Sequence, residues 1–162
     1  MEIRKAHMSE LDRIEAVYAA ARAFMARTGN PNQWGNSHPD RAFLAEDIRN
    51  GNLHVVIAEG EICGAFAFFP GEDPTYGYIE GNWHFAEPYA AIHSVASNGK
   101  QKGIFTEILK FCEAKCNHLR IDTHEDNRVM QHVVTKHGFS YCGIIYLENG
   151  NPRLAYDRKK LR

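Results

Sequence analysis

Two strand–loop–helix units follow one another in the second half of the chain, and they constrain the fold more than any other feature. In the first unit, the buried strand pattern Tyr89–Ala96 is followed by a polar loop and a helix pattern that opens at Gly103. The second unit has a strand pattern at Leu119–His124 and a helix pattern at Asn127–His137, and Gly138 suits the left-handed position after the helix. Two such units predict an α/β fold with helices flanking a sheet.

Hairpin signals on both sides of these units predict antiparallel strands. The β-rich runs Leu53–Glu59 and Ile62–Phe69 are joined by a glycine-containing turn, and Phe139–Leu147 and Arg153–Tyr156 flank an Asn-Gly pair. A short strand at Glu2–Ala6 and helices at Ser9–Arg27 and Pro39–Asn50 complete the pattern. The expected architecture is a mixed, mostly antiparallel central sheet with flanking helices.

Length and charge limit the function. The chain has 162 residues, 44% of them apolar, so a single domain over residues 1–162 is expected. Nineteen Lys and Arg against twenty Asp and Glu leave a net charge of −1, without the basic excess of proteins that bind nucleic acid. No apolar run approaches the ~20 residues of a membrane-spanning helix, and Met1–Lys5 show no secretory signal. We expect a cytoplasmic protein with neither nucleic acid nor membrane as partner.

The four cysteines fit free thiols, because a chain of this size and apolar content does not depend on disulfides. Cys112 and Cys116 lie four residues apart, but a zinc site needs two more ligands at comparable spacing. No CxxC or HxxxH pair supplies them. No metal is predicted.

The loop between Val95 and Phe105 carries the strongest chemical signal. A polar, glycine-containing loop that enters a helix N-terminus offers unpaired backbone N–H groups to an anion, and Lys100 and Lys102 add positive charge. The loop lacks the nucleotide-triphosphate pattern GxxxxGK[ST] and the dinucleotide pattern GxGxxG. A solvated strand-to-helix turn is an equally good interpretation of this stretch taken alone.

The chain resembles the GNAT superfamily of acyl-CoA-dependent N-acyltransferases over nearly its whole length. In that family V-x-P-x-x-[Q/R]-x-x-G-x-[G/A] links the fourth strand to the third helix, and Val95, Lys100 and Gly103 stand at its positions. A later N-x-x-A signature, a helix and G-F are similar to Asn127, Met130, Gly138 and Phe139. This sequence departs from the family pattern at three positions. Lys100 stands where Gln or Arg is usual, and Phe105 stands where Gly or Ala is usual. Val134 stands where many members have a tyrosine that protonates the departing thiolate of coenzyme A.

The resemblance implies acetyl-CoA as co-substrate, bound in a gap between the fourth and fifth predicted strands. Backbone groups of Val95 and Ala96 would contact the thioester and pantetheine arm, and the side chain at Phe105 affects how closely a pyrophosphate approaches. The cofactor-binding residues so implied are Val95, Ala96, Lys100, Gln101, Lys102, Gly103, Ile104, Phe105 and Asn127.

Transfer to an amine requires a base, and an imidazole with a pKa of ~6.5 suits that role. His93 on the fourth predicted strand and His124 at the end of the fifth are the candidates. The alternatives are a hydrogen-bonded core histidine for His93 and a solvated acidic turn for His124. The N–H of Val95 would stabilise the oxyanion. Because valine at position 134 cannot protonate the departing thiolate, Tyr141, Cys142 or Tyr146 could supply the proton instead. The alternative role of these three residues is packing along the sixth predicted strand.

Two aromatic and polar pairs are candidates for the acceptor site. They are Gln33 and Trp34 on the loop after the first helix, and Glu80 and Trp83 in the acidic, aromatic segment 70–88. The two tryptophans could equally anchor these loops in the core. Aromatic residues from Tyr76 to Tyr89 could equally face a subunit interface, which leaves a homodimer open. The predicted function is N-acetyl transfer from acetyl-CoA to a primary amine of a small molecule or peptide; the alternative is a non-catalytic acyl-CoA-binding sensor or adaptor domain.

Overall fold

The computed structural model describes residues 1–160. This part of the chain contains eight strands, four α-helices and two short 3-10 helices. The strands are β1 (Glu2–Lys5), β2 (Leu53–Ala58), β3 (Glu61–Pro70), β4 (Glu80–Gly81), β5 (Ala90–Ser97), β6 (His118–Thr123), β7 (Ser140–Tyr146) and β8 (Pro152–Lys159). The helices are α1 (Leu11–Arg27), α2 (Arg41–Arg49), α3 (Ile104–Lys115) and α4 (Arg128–Lys136). Every predicted element is present with its ends shifted by a few residues; residues 161 and 162 of the predicted domain lie outside the described part.

The strands form one sheet in the order β1-β2-β3-β5-β6-β8-β7-β4. β5 and β6 are parallel, and all other neighbours are antiparallel. The prediction of a mixed, mostly antiparallel sheet is therefore confirmed.

The two parallel strands separate soon after they begin. Their pairing joins Ala90–Ile92 to Leu119–Ile121 and extends no further, although β5 continues to Ser97 and β6 to Thr123. Beyond Ile92, the edge of β5 that faces β6 has no strand partner among the described residues. This is the predicted divergence of the fourth and fifth strands of the sequence pattern.

Helices cover both faces of the sheet. α1 and α2 bury Ile14, Tyr18 and Leu44 against β2 and β3 on one face, and α3 packs against the other face through Ile108 and Cys112. The helical period of these apolar positions is the physical reason that each helix lies flat on the sheet. No helix between residues 1 and 160 is long and apolar enough to cross a membrane.

The segment between β3 and β5 contains a 3-10 helix at Pro74–Tyr76 and the two-residue strand β4. β4 pairs with β7, with Gly81 opposite Gly143. A Cβ atom at Gly81 would lie 2.2 Å from the carbonyl oxygen of Cys142, and one at Gly143 would lie 2.1 Å from that of Glu80. The two glycines also have φ angles of 131° and 145°, so this close pairing depends on glycine at both positions.

Candidate active site

A cavity of about 840 Å³ opens where β5 and β6 diverge. Side chains from α1, the following loop, β5, β6, the start of α4 and the β7–β8 turn line it. The predicted residues His93, Val95, Gln33, Trp34 and Asn127 all lie on its wall. The divergence of two strands thus brings together residues that are far apart in sequence.

His93 forms an ion pair with Asp73 in this cavity. Its Nε2 lies 2.7 Å from the Asp73 Oδ2, and the His93 side chain is 27% exposed. Burial alone would raise the pKa of the Asp73 carboxyl, but hydrogen bonds from His93 and Thr75 outweigh burial and lower that pKa to about 2. Burial opposes protonation of His93, yet the bond to Asp73 and the surrounding carboxylates outweigh it and raise its pKa above 6.5.

The ionised Asp73 can only accept hydrogen bonds, so the Nε2 of His93 carries the hydrogen of this contact. In neutral His93, Nδ1 is then the nitrogen that is free to take a proton. Asp73 was not predicted as a site residue. The sequence around Asp73 indicates an Asp-Pro-Thr turn, in which Asp73 Oδ1 accepts a hydrogen bond of 2.9 Å from the Thr75 N–H. That turn pattern does not indicate a contact between Asp73 and His93.

β5 contains a bulge next to His93. Ala96 pairs with Ala65 and His93 with Ala67, so two residues of β5 lie opposite one residue of β3. Ser94, one of the two, has a φ of 54°, which is uncommon for a residue with a side chain. The bulge turns the backbone of β5 at the point where the cavity begins.

The buried hydroxyl of Tyr18 holds the bulge. It donates a hydrogen bond of 2.7 Å to the Ser94 carbonyl, and burial raises the pKa of Tyr18, so the hydroxyl stays protonated. In a trans peptide the N–H points away from the carbonyl, so the Val95 N–H points away from Tyr18. Tyr18 was missed as a site residue because its position fits the core pattern of α1.

Gln33 connects the loop after α1 to the start of α4. Its Oε1 accepts hydrogen bonds of 2.9 Å from the Nδ2 of both Asn127 and Asn30. Asn127 caps α4, because its Oδ1 accepts from the Met130 N–H at 3.0 Å. Trp34 packs on Tyr18 with a ring-centroid distance of 5.7 Å. These contacts place the predicted acceptor-site pair against the bulge.

The loop before α3 presents backbone N–H groups. Those of Gly99 and Lys100 donate to Ser97 Oγ and Asn98 Oδ1, whereas those of residues 101–106 find no acceptor in the described part of the chain. Lys100 and Lys102 are exposed and form no ion pair within residues 1–160. The arrangement suits a phosphate group.

Phe105 does not project into this loop. It is 8% exposed and packs in the core with its ring 5.1 Å from that of His137. Ile104 is buried in the same cluster, as is Val134, so α4 presents no hydroxyl group at that position. A ligand at the loop would meet the backbone of residues 104 and 105 rather than their side chains.

The other predicted site residues do not line the cavity. His124 Nδ1 accepts from the Asp126 N–H at 3.0 Å, Tyr141 is 52% exposed on β7, and the Tyr146 hydroxyl donates to Glu80 at 2.7 Å. Trp83 donates its indole N–H to the Tyr76 carbonyl at 3.2 Å. The structure therefore separates Glu80 and Trp83 from Gln33 and Trp34.

A second polar cluster lies away from the cavity. Ligand atoms of His84, Cys142 and Asp157 all lie within 4.8 Å of one another, a grouping that the sequence spacing did not reveal. The Nδ1 of His84 is 2.8 Å from Asp157 Oδ1 and 3.3 Å from the Cys142 sulfur. Burial and the neighbouring Asp157 raise the pKa of the Cys142 thiol to about 12.

Comparison with solved structures gives the class of protein. A GNAT-family acetyltransferase from Streptococcus agalactiae has a TM-score of 0.89 and 32% identity, covering 99% of this chain and 96% of its own. A second, described as a putative acetyltransferase from Staphylococcus aureus, has a TM-score of 0.70 and 21% identity, covering 98% and 99%. A GNAT-like decarboxylase in complex with isobutyryl-CoA has a TM-score of 0.63 and 16% identity, also covering 98% and 99%.

The diverging parallel strands and the cavity between them define an α/β domain of the GNAT fold. At 32% identity over nearly the whole of both chains, the streptococcal structure shows the family as well. The chain belongs to the GNAT family of acetyltransferases. No family model and no curated protein matches the sequence.

Proposed function

We propose that the chain, as a single domain over residues 1–162, transfers the acetyl group of acetyl-CoA to a primary amine of a small molecule or peptide. One observation carries the proposal: the His93–Asp73 pair and the Ser94–Val95 bulge share the cavity between β5 and β6. A base and a backbone donor at one site are what attack of an amine on a thioester requires.

Acyl-CoA fits the groups that this part of the chain leaves free. The open edge of β5 beyond Ile92 can pair with an extended pantetheine arm, and the N–H groups of residues 101–105 can hold its pyrophosphate. Lys100 and Lys102 supply positive charge beside that loop, and Asn127 stands on the cavity wall. The isobutyryl-CoA complex of the GNAT-like decarboxylase supports an acyl-CoA site in this fold.

His93 is the proposed general base. Asp73 holds Nε2–H, so Nδ1 accepts a proton from the acceptor amine as its nitrogen attacks the acetyl carbonyl. The Val95 N–H stabilises the negative charge on the carbonyl oxygen, and the C–S bond then breaks to release the thiolate. An alkyl thiol has a pKa of ~8.5, so the thiolate leaves near neutral pH and takes its proton from water.

Acetyl-CoA at ~100 times its dissociation constant should stabilise the protein by ~2.7 kcal/mol, a rise in Tm of roughly 5–10 °C. A thermal-shift titration measures this, with ATP and NAD as controls of similar phosphate content. A shift specific to acetyl-CoA supports the site. Equal shifts for all three ligands, or none at millimolar concentration, would leave a structural or adaptor domain as the better interpretation.

A non-catalytic acyl-CoA-binding sensor is the second candidate, because buried Val134 stands where many family members have the acidic tyrosine. The two functions differ in one measurement, which is release of the coenzyme A thiol in the presence of a broad panel of amines. Saturable binding without transfer to any amine would identify the sensor.

The pH dependence tests the His93–Asp73 pair separately. The base must be neutral, so kcat/KM should rise with pH through the raised pKa of His93, with a limb above pH 6.5. Asp73→Asn removes the carboxylate that raises this pKa, so the limb should move to lower pH. Thr75→Val, which leaves the carboxylate in place, serves as the comparison. An unmoved limb in Asp73→Asn would assign the titration to another group.

A further inference from the structure

A buried guanidinium group stands in the cavity without a carboxylate partner among the described residues. Arg153 is 7% exposed and lines the cavity between β5 and β6. Its Nη1 donates a hydrogen bond of 2.8 Å to the carbonyl of the preceding Pro152. No Asp or Glu within residues 1–160 forms an ion pair with it. Arginine is seldom buried without a partner, because desolvating its charge is costly.

The strand register places Arg153 on the same face of the sheet as the proposed base. Asp122 pairs with Ala155, and Arg153 is two residues from Ala155 on β8, so Arg153 and Asp122 share a face. Ile92 pairs with Ile121. The residues that follow them, His93 on β5 and Asp122 on β6, therefore also lie on one face of the sheet, the face opposite to Ile92 and Ile121. The floor of the cavity thus presents His93, Asp122 and Arg153 on three adjacent strands.

The charges along this row alternate. His93 is paired with Asp73, and Asp122 accepts a hydrogen bond of 3.2 Å from the Tyr76 hydroxyl. Arg153, at the other end, senses the charge of Asp122, but no carboxylate within residues 1–160 forms an ion pair with it. A molecule with an amine at one end and an anion at the other matches this distribution of charge, with the amine towards His93.

We propose that the acceptor carries an anionic group, a carboxylate in the first instance, that binds the guanidinium of Arg153. This rests on the proposed acetyltransferase function and narrows its substrate class to small amino acids and related amino-anions. Guanidinium binds carboxylate and phosphate through paired N–H bonds, so both anions belong in the test. A polyamine lacks the group that Arg153 would hold.

The experiment compares matched acceptors at saturating acetyl-CoA, by release of the coenzyme A thiol. The panel is the standard amino acids and their carboxamides, O-phosphoethanolamine and ethanolamine, and putrescine. We expect an acid to exceed its carboxamide in kcat/KM by about 100-fold, the effect of losing a charge-assisted pair. Preference for O-phosphoethanolamine over every amino acid would assign the site to phosphate. This comparison needs only the unmodified protein.

Variants locate the effect. Arg153→Gln should lower kcat/KM for the anionic acceptor by about 100-fold, mainly through KM, and should abolish the preference for an acid over its carboxamide. Arg153→Lys should restore part of the loss. Arg49→Gln, an exposed arginine on α2, is the control and should match the unmodified protein.

Two failures can be told apart. Transfer to carboxamides or putrescine at rates equal to the acids, unaffected by Arg153→Gln, would overturn the anion site and leave the acetyltransferase function standing. Binding of acetyl-CoA without transfer to any acceptor of the panel would also overturn the anion site. Absence of both acetyl-CoA binding and transfer would refute the proposed function itself.

Discussion

His93→Ala should lower kcat by at least about 100-fold, because removal of a general base costs ~10²–10⁴ in rate. Nδ1 of this residue is the proposed proton acceptor, and Asp73 holds the opposite ring nitrogen. His38 also lines the cavity, but it belongs to the loop before α2 rather than to β5. Steady-state kinetics with acetyl-CoA and an acceptor measures the loss. Acetyl-CoA binding, followed by thermal shift, should be preserved because His93 takes no part in it.

The matched control is His124→Ala. His124 was the alternative base in the sequence, but its Nδ1 accepts from the Asp126 N–H and it does not line the cavity. Its substitution should leave kcat nearly unchanged. A near-normal rate in a folded His93→Ala protein would remove His93 as the base, and a large loss in His124→Ala instead would transfer the role.

Gly143→Ala should destabilise the protein by about 3 kcal/mol, lowering Tm by roughly 6–12 °C. A Cβ at Gly143 would lie 2.1 Å from the Glu80 carbonyl oxygen, and that oxygen belongs to the backbone and cannot rotate aside. The φ of 145° adds backbone strain for a residue with a side chain. We expect β4 to separate from β7, which thermal unfolding and amide hydrogen exchange of the segment around Glu80 would detect.

Gly150→Ala separates steric overlap from backbone strain. Gly150 also has a positive φ, of 88°, but nothing in the described chain lies within 4 Å of the position that a Cβ would take there. Backbone strain alone should therefore lower the stability, by ~1 kcal/mol. Equal effects of the two substitutions would show that the contact between β4 and β7 contributes nothing to stability.

Local patterns predicted the elements of the fold well. The apolar periods of β5, α3 and α4 and the turn signals around them are properties of neighbouring residues, so the sequence displays them directly. The left-handed Gly138 was located in the same way. The 70–88 segment was not assigned, because a short 3-10 helix and a two-residue strand have no period to detect.

The contacts that form the candidate site join residues that are far apart in the sequence. His93 and Asp73 are separated by 20 residues, Tyr18 and Ser94 by 76, and Gln33 and Asn127 by 94. No local pattern reports such contacts, since each depends on which strands become neighbours. For the same reason Gln33 and Trp34 line the cavity, whereas Glu80 and Trp83, equally plausible in the sequence, do not.

By itself the sequence determined the order of helices and strands, the mixed sheet and the polar loop before α3, because side-chain period and turn chemistry are local. Only the tertiary structure decided which histidine meets a carboxylate and where β5 leaves β6. It also decided that Phe105 turns into the core and that Arg153 stands in the cavity without an ion pair to any carboxylate of residues 1–160. Those outcomes depend on packing and on desolvation of charge, which are set when distant segments meet.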